Sequence, residues 1–494
     1  MACDLARTVS ANPFSVHFGP PYRCRGGDHS RSARRSSAAS NEHGAAVGVS
    51  FQRRWTLEER TVNMTKLSPT ELKRRERVRG GMLMALALPA VLALAACGGG
   101  GSSSAGGNAG AADAIAEASC GDVPVVEPND PEGLLKDLPE DVRAAFNGWP
   151  DKVEASAWAG LKSKVAEGPV TVGYLQQDSG SPVAAALSTE IKRLAKDSKA
   201  AGDIADLLIE TPGGAGGEVT AADQVRAFEQ LVRKGADIII AQPLSGEALV
   251  GAVNSAGEKG IPTVTFTGYV ASPYALNISP NGFDSVAQTV ARGVEMIGGK
   301  GNMLIVQGIE GMTVNTTSVA TAQQVVESCD EIEIVGSPAG NFSDPGAKSG
   351  VMSFLASHPE DIDLVYQVAS MGAGTFAGFD DAGRDQMPVI LDNLPTAASL
   401  AWWDQLSSDG YEGLAVPGTG TQFGEALWEV ALRTMKGEGP KINQIALETQ
   451  FITNENIDDY AVPGASTTSA EETKTVGSLL PAEYLNGYFT NPGK

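Results

Sequence analysis

Lys234-Gly-Ala-Asp-Ile-Ile-Ile-Ala-Gln-Pro243 and, one helical stretch later, Gly260-Ile-Pro-Thr-Val-Thr-Phe266 decide how this chain folds. Each is a short, mostly β-branched run closed by Gly or Pro, the pattern of a strand buried on both faces. The stretch between them, Gly246–Lys259, has the length and periodicity of a helix. Strand, helix, strand at this spacing is a parallel crossover unit. Working outward toward the N-terminus, Val170–Leu175 leads to a helix over Pro182–Ser198. Ile204–Glu210 then leads to a helix over Glu218–Lys234, in which Val219, Ala222, Val225 and Val232 share a face.

Toward the C-terminus the alternation resumes. Strands are expected at Asn302–Gln307, Glu331–Ser337, Asp363–Tyr366 and Pro388–Leu391, and helices at Ser285–Ile297, Ser318–Ser328, Gly346–Ala356 and Ala397–Leu406. About 300 residues of such a pattern exceed one comfortable core. The expectation is an α/β chain of two doubly wound parallel-sheet lobes joined by a hinge, with one large doubly wound domain as the alternative. Ligands of open α/β sheets bind beyond the carboxyl ends of the strands. Two lobes set such edges face to face, and hinge bending closes them.

The 494 residues carry a net charge of −22, which argues against a nucleic-acid partner because phosphate binding needs a basic surface. The charge is uneven. Residues 1–96 hold fifteen Lys/Arg and seven Asp/Glu, so the remainder carries −30. The five cysteines (Cys3, Cys24, Cys97, Cys120, Cys329) form no CxxC pair, and the four histidines are scattered, so no metal site or cofactor is expected. No G-x-S-x-G elbow is present, and only His358 follows Cys97, which argues against a hydrolase.

A basic run (Lys73, Arg74, Arg75, Arg77, Arg79) precedes an apolar stretch, Met82–Ala96, that ends in Leu94-Ala-Ala-Cys97. These are the elements of an export signal. Fifteen helical residues rise about 22 Å, short of the ~30 Å hydrocarbon core. Leu-Ala-Ala-Cys-Gly resembles a bacterial lipobox, which implies acylation of Cys97 and a lipid anchor on the outer face of the cell membrane. Residues 64–96 are therefore expected to be a lipoprotein signal peptide. Residues 1–63, rich in Arg, Ser and Gly, are expected to be disordered, with translation starting at Met64. Residues 97–119 form a Gly/Ser-rich tether.

The strands quoted above, in their order and spacing, resemble the type I periplasmic binding proteins of the ribose/galactose class, the substrate-binding components of ABC importers. Val170-Thr-Val-Gly-Tyr174 is similar to the family's first strand. Lys234–Pro243 matches its "G-h-D-h-h-h-h-x-P" pattern, Gly260–Phe266 its fourth strand, and Gly308-Ile-Glu-Gly311 the loop opening its second lobe. The resemblance covers about 169–460. It implies two lobes joined by three crossings, a small carbohydrate-like ligand and a membrane permease as partner. Lobe 1 is then 168–277 plus 420–446, and lobe 2 is 278–419 plus 447–494 with the tail. Residues 120–167 precede this scheme. They are read as an extended wrap followed by helices at Leu138–Ala145 and Lys152–Val165, docked on a lobe or covering the cleft mouth.

Carried over by spacing, the ligand contacts fall on Gln177 and Asp178 after the first strand and on Thr267 and Tyr269 after the fourth. In the second lobe they fall on Asn315 and Thr316, Phe342, Gln367 and Ser370, and Asp392. The family's charged clamps are replaced here by Thr267-Gly268 and Thr316, and the aromatic pair of its first loop by Gly180-Ser181-Pro182. These departures argue against ribose and galactose and for a different polyol, a glycoside or a less polar solute. Asp392 also reads as a helix cap, Phe342 as core packing, and Trp402 and Trp403 as core rather than stacking platforms. Gly213–Gly217 lacks the Lys-Ser/Thr of a phosphate loop. In an exported protein, Cys120 and Cys329 are expected to pair. A sensor-kinase or chemoreceptor receptor is the alternative role. A repressor of the same fold would need a basic helix-turn-helix where the export signal stands.

Overall fold

The computed structural model describes residues 119–177, 182–213 and 219–493. Cys97, the signal segment, Asp178 and most of Gly213–Gly217 lie outside them. Lobe 1 is built from β1 (Val170–Leu175), β2 (Ile204–Glu210), β3 (Ile238–Ala241), β4 (Thr263–Phe266), β5 (Ala275–Pro280) and β11 (Gln444–Leu447), in the order β11-β5-β4-β3-β1-β2. Lobe 2 holds β6 (Gly301–Val306), β7 (Ile332–Gly336), β8 (Leu364–Gln367), β9 (Val389–Asn393) and β10 (Leu414–Val416), in the order β10-β9-β8-β6-β7. Every pairing within these two sheets is parallel. All four residues of β3 and all four of β8 are buried, as strands covered on both faces require.

The helices, in chain order, are α1 (Glu140–Ala144), α2 (Pro182–Ala201), α3 (Ala221–Arg233), α4 (Gly246–Gly257), α5 (Gly282–Met296), α6 (Thr313–Val326), α7 (Asp344–Leu355), α8 (Gly372–Asp381), α9 (Ala397–Ser407), α10 (Gly420–Met435), α11 (Ile457–Tyr460) and α12 (Ala482–Asn486). Caps set several starts. Thr220 with Asp223, Thr396 with Ser399, and Thr419 with Gln422 form capping boxes, so α3 starts at Ala221 and not at Glu218. Asn281 Oδ1 accepts from the amides of Phe283 and Asp284 and starts α5 three residues before the expected Ser285.

The sheet of lobe 1 is covered twice. Phe228, Leu231, Leu249 and Val253 from α3 and α4 fill one face. The other face carries a larger core to which α2, α10, the N-terminal extension and the C-terminal tail all contribute. Phe146 packs 4.9 Å from Trp149 and 6.3 Å from Tyr488, ring centre to ring centre. A buried ion pair, Arg433 Nε to Glu438 at 2.6 Å, is completed by Asn486 and by the Phe489 ring beneath the guanidinium. Extra partners of this kind are what a buried charge requires.

The chain crosses between lobes after β5 (280–282), after β10 (417–419) and after β11 (448–451). The tail then adds a fourth crossing. Ile452, Ile457 and Tyr460 lie in the core of lobe 2, but Leu479 to Phe489 return to that of lobe 1. This last stretch was expected with lobe 2; its aromatic side chains instead complete the extension's packing.

The expected helix at Lys152–Val165 does not form. Ala155 bridges Ile442 in antiparallel fashion, and the amides of Ser156 and Asn443 donate to Lys441 and Glu154. The segment borrows hydrogen bonds from the chain leading into the edge strand β11, which an internal helix would forgo. Within Leu138–Ala145 only α1 is helical. Cys120 and Cys329 form a disulfide, with Sγ–Sγ 2.14 Å.

Candidate functional site

The carboxyl ends of β4 and β9 approach one another where the second crossing runs between the lobes. Leu394, just past β9, packs against the core of lobe 1, next to Gly418. In that core Phe266, the last residue of β4, lies 4.6 Å from Phe423 of α10. The end of β9 is thus brought against the part of lobe 1 into which β4 ends, and the loops that follow these strands lie beside the second crossing.

Backbone strain collects at these loops. Among the described residues, the non-glycine positions with left-handed φ are Thr267, Asn341, Phe342, Ser370 and Leu394. All five follow the carboxyl ends of β4, β7, β8 and β9. Such conformations cost of order 1–3 kcal/mol each and persist where surroundings over-determine them, characteristically at ligand sites. Three of the five, Thr267, Phe342 and Ser370, are among the contacts expected from the sequence.

Beneath the loops of lobe 2 lies a buried polar pair. Gln367 Nε2 donates to Asp392 Oδ1 at 2.5 Å and to the carbonyl of Asn393 at 2.8 Å, while its own Oε1 accepts the Met371 amide. Gln367 is fully buried and Asp392 is 2% exposed. Burial, seconded by the Asp344 carboxylate, pushes the Asp392 carboxyl up to about 7. Asp392 Oδ2 and the hydroxyl of Tyr366, both buried, have no hydrogen-bond partner among the described residues. Buried polar atoms are nearly always paired, so each such exception calls for a reason.

Gly372 explains how the carboxylate fits. A Cβ there would lie 2.3–2.4 Å from the Asp392 carboxyl atoms, so only glycine opens α8 at this point. Gly308, two residues past β6, makes room in the same way: a Cβ would meet the Phe342 ring at 2.1 Å. Phe342 therefore lies flush on the loop after β6, half-buried and at the edge of the core.

The remaining expected residues fall in different settings. Gln177 is half-buried at the end of β1, and Thr267 is exposed after β4. Ser370 is half-buried, its amide bonded to the Asn393 carbonyl at 2.8 Å. Asn315 and Thr316, expected in a loop, lie in the first turn of α6. Asn315 is buried and braces the loop before it, accepting the Gly308 amide at 2.7 Å and donating to Gln307 Oε1 at 3.3 Å. Thr316 is exposed. Tyr269 turns toward the N-terminal extension, its hydroxyl 3.5 Å from the Lys152 carbonyl. Burial and the carboxylates of Glu154 and Asp151 push its phenol up to about 12.

Trp403 is buried and donates to Asn454, and Trp402 stacks along Phe376 at 6.4 Å, so both indoles belong to the packing of lobe 2. Two residues that sequence reasoning passed over, Leu244 after β3 and Ile309 after β6, expose large apolar side chains on the same loops. No charge or periodicity marked them. Among the described residues no group of His, Cys, Asp and Glu is arranged to hold a metal ion.

A family profile described as a periplasmic binding protein domain matches residues 172–439. A xylitol-binding protein of Mycolicibacterium smegmatis is 26% identical over 238 residues, covering 48% of this chain and 66% of that protein, just under two thirds. The ribose import binding protein RbsB of Salmonella typhimurium is 23% identical over 227 residues, 44% of this chain and 72% of that one. Among solved structures, an ABC transporter solute-binding protein from Thermobispora bispora is 21% identical. It covers 59% of this chain and 87% of its own, with a TM-score of 0.48.

Proposed function

The chain belongs to the periplasmic binding protein domain family, and from that premise we propose that it captures a small neutral polyol or sugar between its lobes for an ABC importer. The solute is held without chemical change and passed to the permease. The observation that carries this reading is the meeting of strained loops with the buried Gln367–Asp392 pair at the carboxyl ends of the strands. Polar groups fixed in this way discriminate sharply, because a ligand that leaves them unpaired forfeits their desolvation.

Gln177, Thr267, Phe342 and Ser370 are proposed as direct contacts, and so is Asp178, next in sequence to Gln177. Gln367 and Asp392 form the polar floor, and Asn315 holds the loop against which Phe342 rests. Tyr269 and Thr316 are proposed at the rim. The xylitol-binding and ribose-import functions carried in the names of two relatives agree with a polyhydroxyl ligand. The replacement of the family's Arg and carboxylate clamps by Thr267-Gly268 and Thr316 favours a solute other than ribose or galactose.

Calorimetric titration of the full chain with xylitol, other pentitols, myo-inositol, ribose and galactose tests the proposal. A saturable heat for a polyol, stronger than for ribose, is expected. A panel with no saturable heat contradicts it. Cys97 is proposed as the acylated anchor, and the Cys97→Ser protein should leave the membrane fraction.

A further inference from the structure

Residues 120–167 run the length of the body. In parallel α/β lobes, helix ends and strand starts meet at the edge opposite the ligand edge. Cys329, between α6 and β7, and Gly299, between α5 and β6, mark that far edge in lobe 2. There the disulfide fixes Cys120, and Ser328 Oγ donates to the Ser119 carbonyl. At the other end, Lys164 Nζ donates to the Gly260 carbonyl at 2.7 Å and its amide to the Met435 carbonyl. Gly260, between α4 and β4, and Met435, ending α10, mark the far edge of lobe 1. The extension is thus fastened at both poles.

Midway it grips the first crossing. Asn281 Nδ2 donates to the carbonyls of Ala145 and Asn147 at 2.9 and 2.7 Å. Asn147 Nδ2 donates in turn to Asp284 Oδ1 at 3.2 Å and to the Pro124 carbonyl, while its Oδ1 accepts the Val126 amide. Gly148 lies so close to the Phe283 ring that a Cβ would meet it at 2.3 Å. One residue before Asn147, Phe146 is buried in the core of lobe 1. Within three residues the segment therefore holds both lobes. Between its fastenings it lines a cavity of about 980 Å³ together with Asp284, Arg292, Leu447 and Thr449. Asp284 directly follows the first crossing, and Leu447 and Thr449 lie at the third.

We propose that residues 120–167 are a strap that limits the swing of the lobes, holding the unliganded body to a narrow range of cleft angles. The disulfide and the Asn147 contacts fix its end and middle, and the cavity gives it room to flex. A relative rotation of the lobes has to strain the Asn281 and Asn147 bonds or drag the strap across the hinge.

The test needs no ligand, so its failure is separable from failure of the capture reading. Hydrogen exchange and small-angle scattering are measured on the full chain, on the Cys120→Ser/Cys329→Ser double variant and on Asn147→Ala. The strap predicts exchange about tenfold faster at 281–286 and 448–451 in either variant, with a larger radius of gyration and unchanged protection in β3 and β8. Asn147→Ala keeps the disulfide and both cores, so it decides the matter even if the double variant unfolds. Unchanged exchange at both crossings in the folded variants overturns the proposal.

Discussion

The two lobes share one architecture and divide the labour differently. Lobe 1 carries a core enlarged by the 120–167 extension and the C-terminal tail, in which Phe146, Trp149, Tyr484, Tyr488 and Phe489 pack together over the sheet. Lobe 2 keeps a plainer core but holds four of the five left-handed non-glycine residues found among the described positions. It also holds the buried carboxyl with an unpartnered oxygen. Mass and adhesion are concentrated in one lobe, strain and polarity in the other. Stability and ligand chemistry can then be altered separately.

The strongest way to break this contrast is Phe146→Ala. Phe146 is fully buried, and emptying such a site costs about 3–5 kcal/mol. Urea unfolding should show that loss. A change below about 1 kcal/mol would mean that the extension is a decoration of lobe 1 and not integral to its core.

Asp392 sharpens the other side. Its carboxyl is raised in the folded protein from the ordinary 3.8 to about 7. The folded state therefore holds a proton that the unfolded chain has released, and stability falls as pH rises from about 4 to about 7, then levels off. The loss is about 1.4 kcal/mol per unit of separation between folded and unfolded values. Asp392→Asn should lack this slope and exceed the parent in stability above pH 7. Parallel pH profiles of the two proteins would refute the assignment.

The smallest effect is expected at Ser370, whose φ is 53°. Ser370→Gly removes the left-handed penalty and should raise the stability of the unliganded protein by about 1 kcal/mol. Affinity for the captured solute should fall at the same time, because the hydroxyl goes with the strain. A variant that melts no later than the parent would show that this backbone is unstrained.

The lobes were legible because their central strands are continuous β-branched runs: Ile238–Ala241 needs nothing beyond itself to be read. The edges were not. β10 spans three residues and β11 four, and each exists through a neighbour already in place, β9 for one and β5 for the other. α8 reads Gly-Ala-Gly-Thr-Phe-Ala-Gly and looks unlike a helix. Its glycines let it press on α7: a Cβ at Gly374 would lie 2.1 Å from the Asp344 carbonyl oxygen. Close packing there overrides intrinsic propensity. For the site, residue types and strand ends were readable, but depth was not. Gln367 and Ser370 stand three apart in sequence, one fully buried and one half-buried, and that difference arises from the turn at Ser370 and not from composition.

A crystal structure of the full chain, grown with the tightest-binding polyol of the calorimetric panel, puts the main claim to trial. The ligand should lie between the loops after β1 and β4 on one side and those after β7, β8 and β9 on the other, with a hydroxyl directed toward Gln367 and Asp392. Ligand found instead in the cavity beneath the extension, or a cleft left empty at saturating concentration, would contradict it.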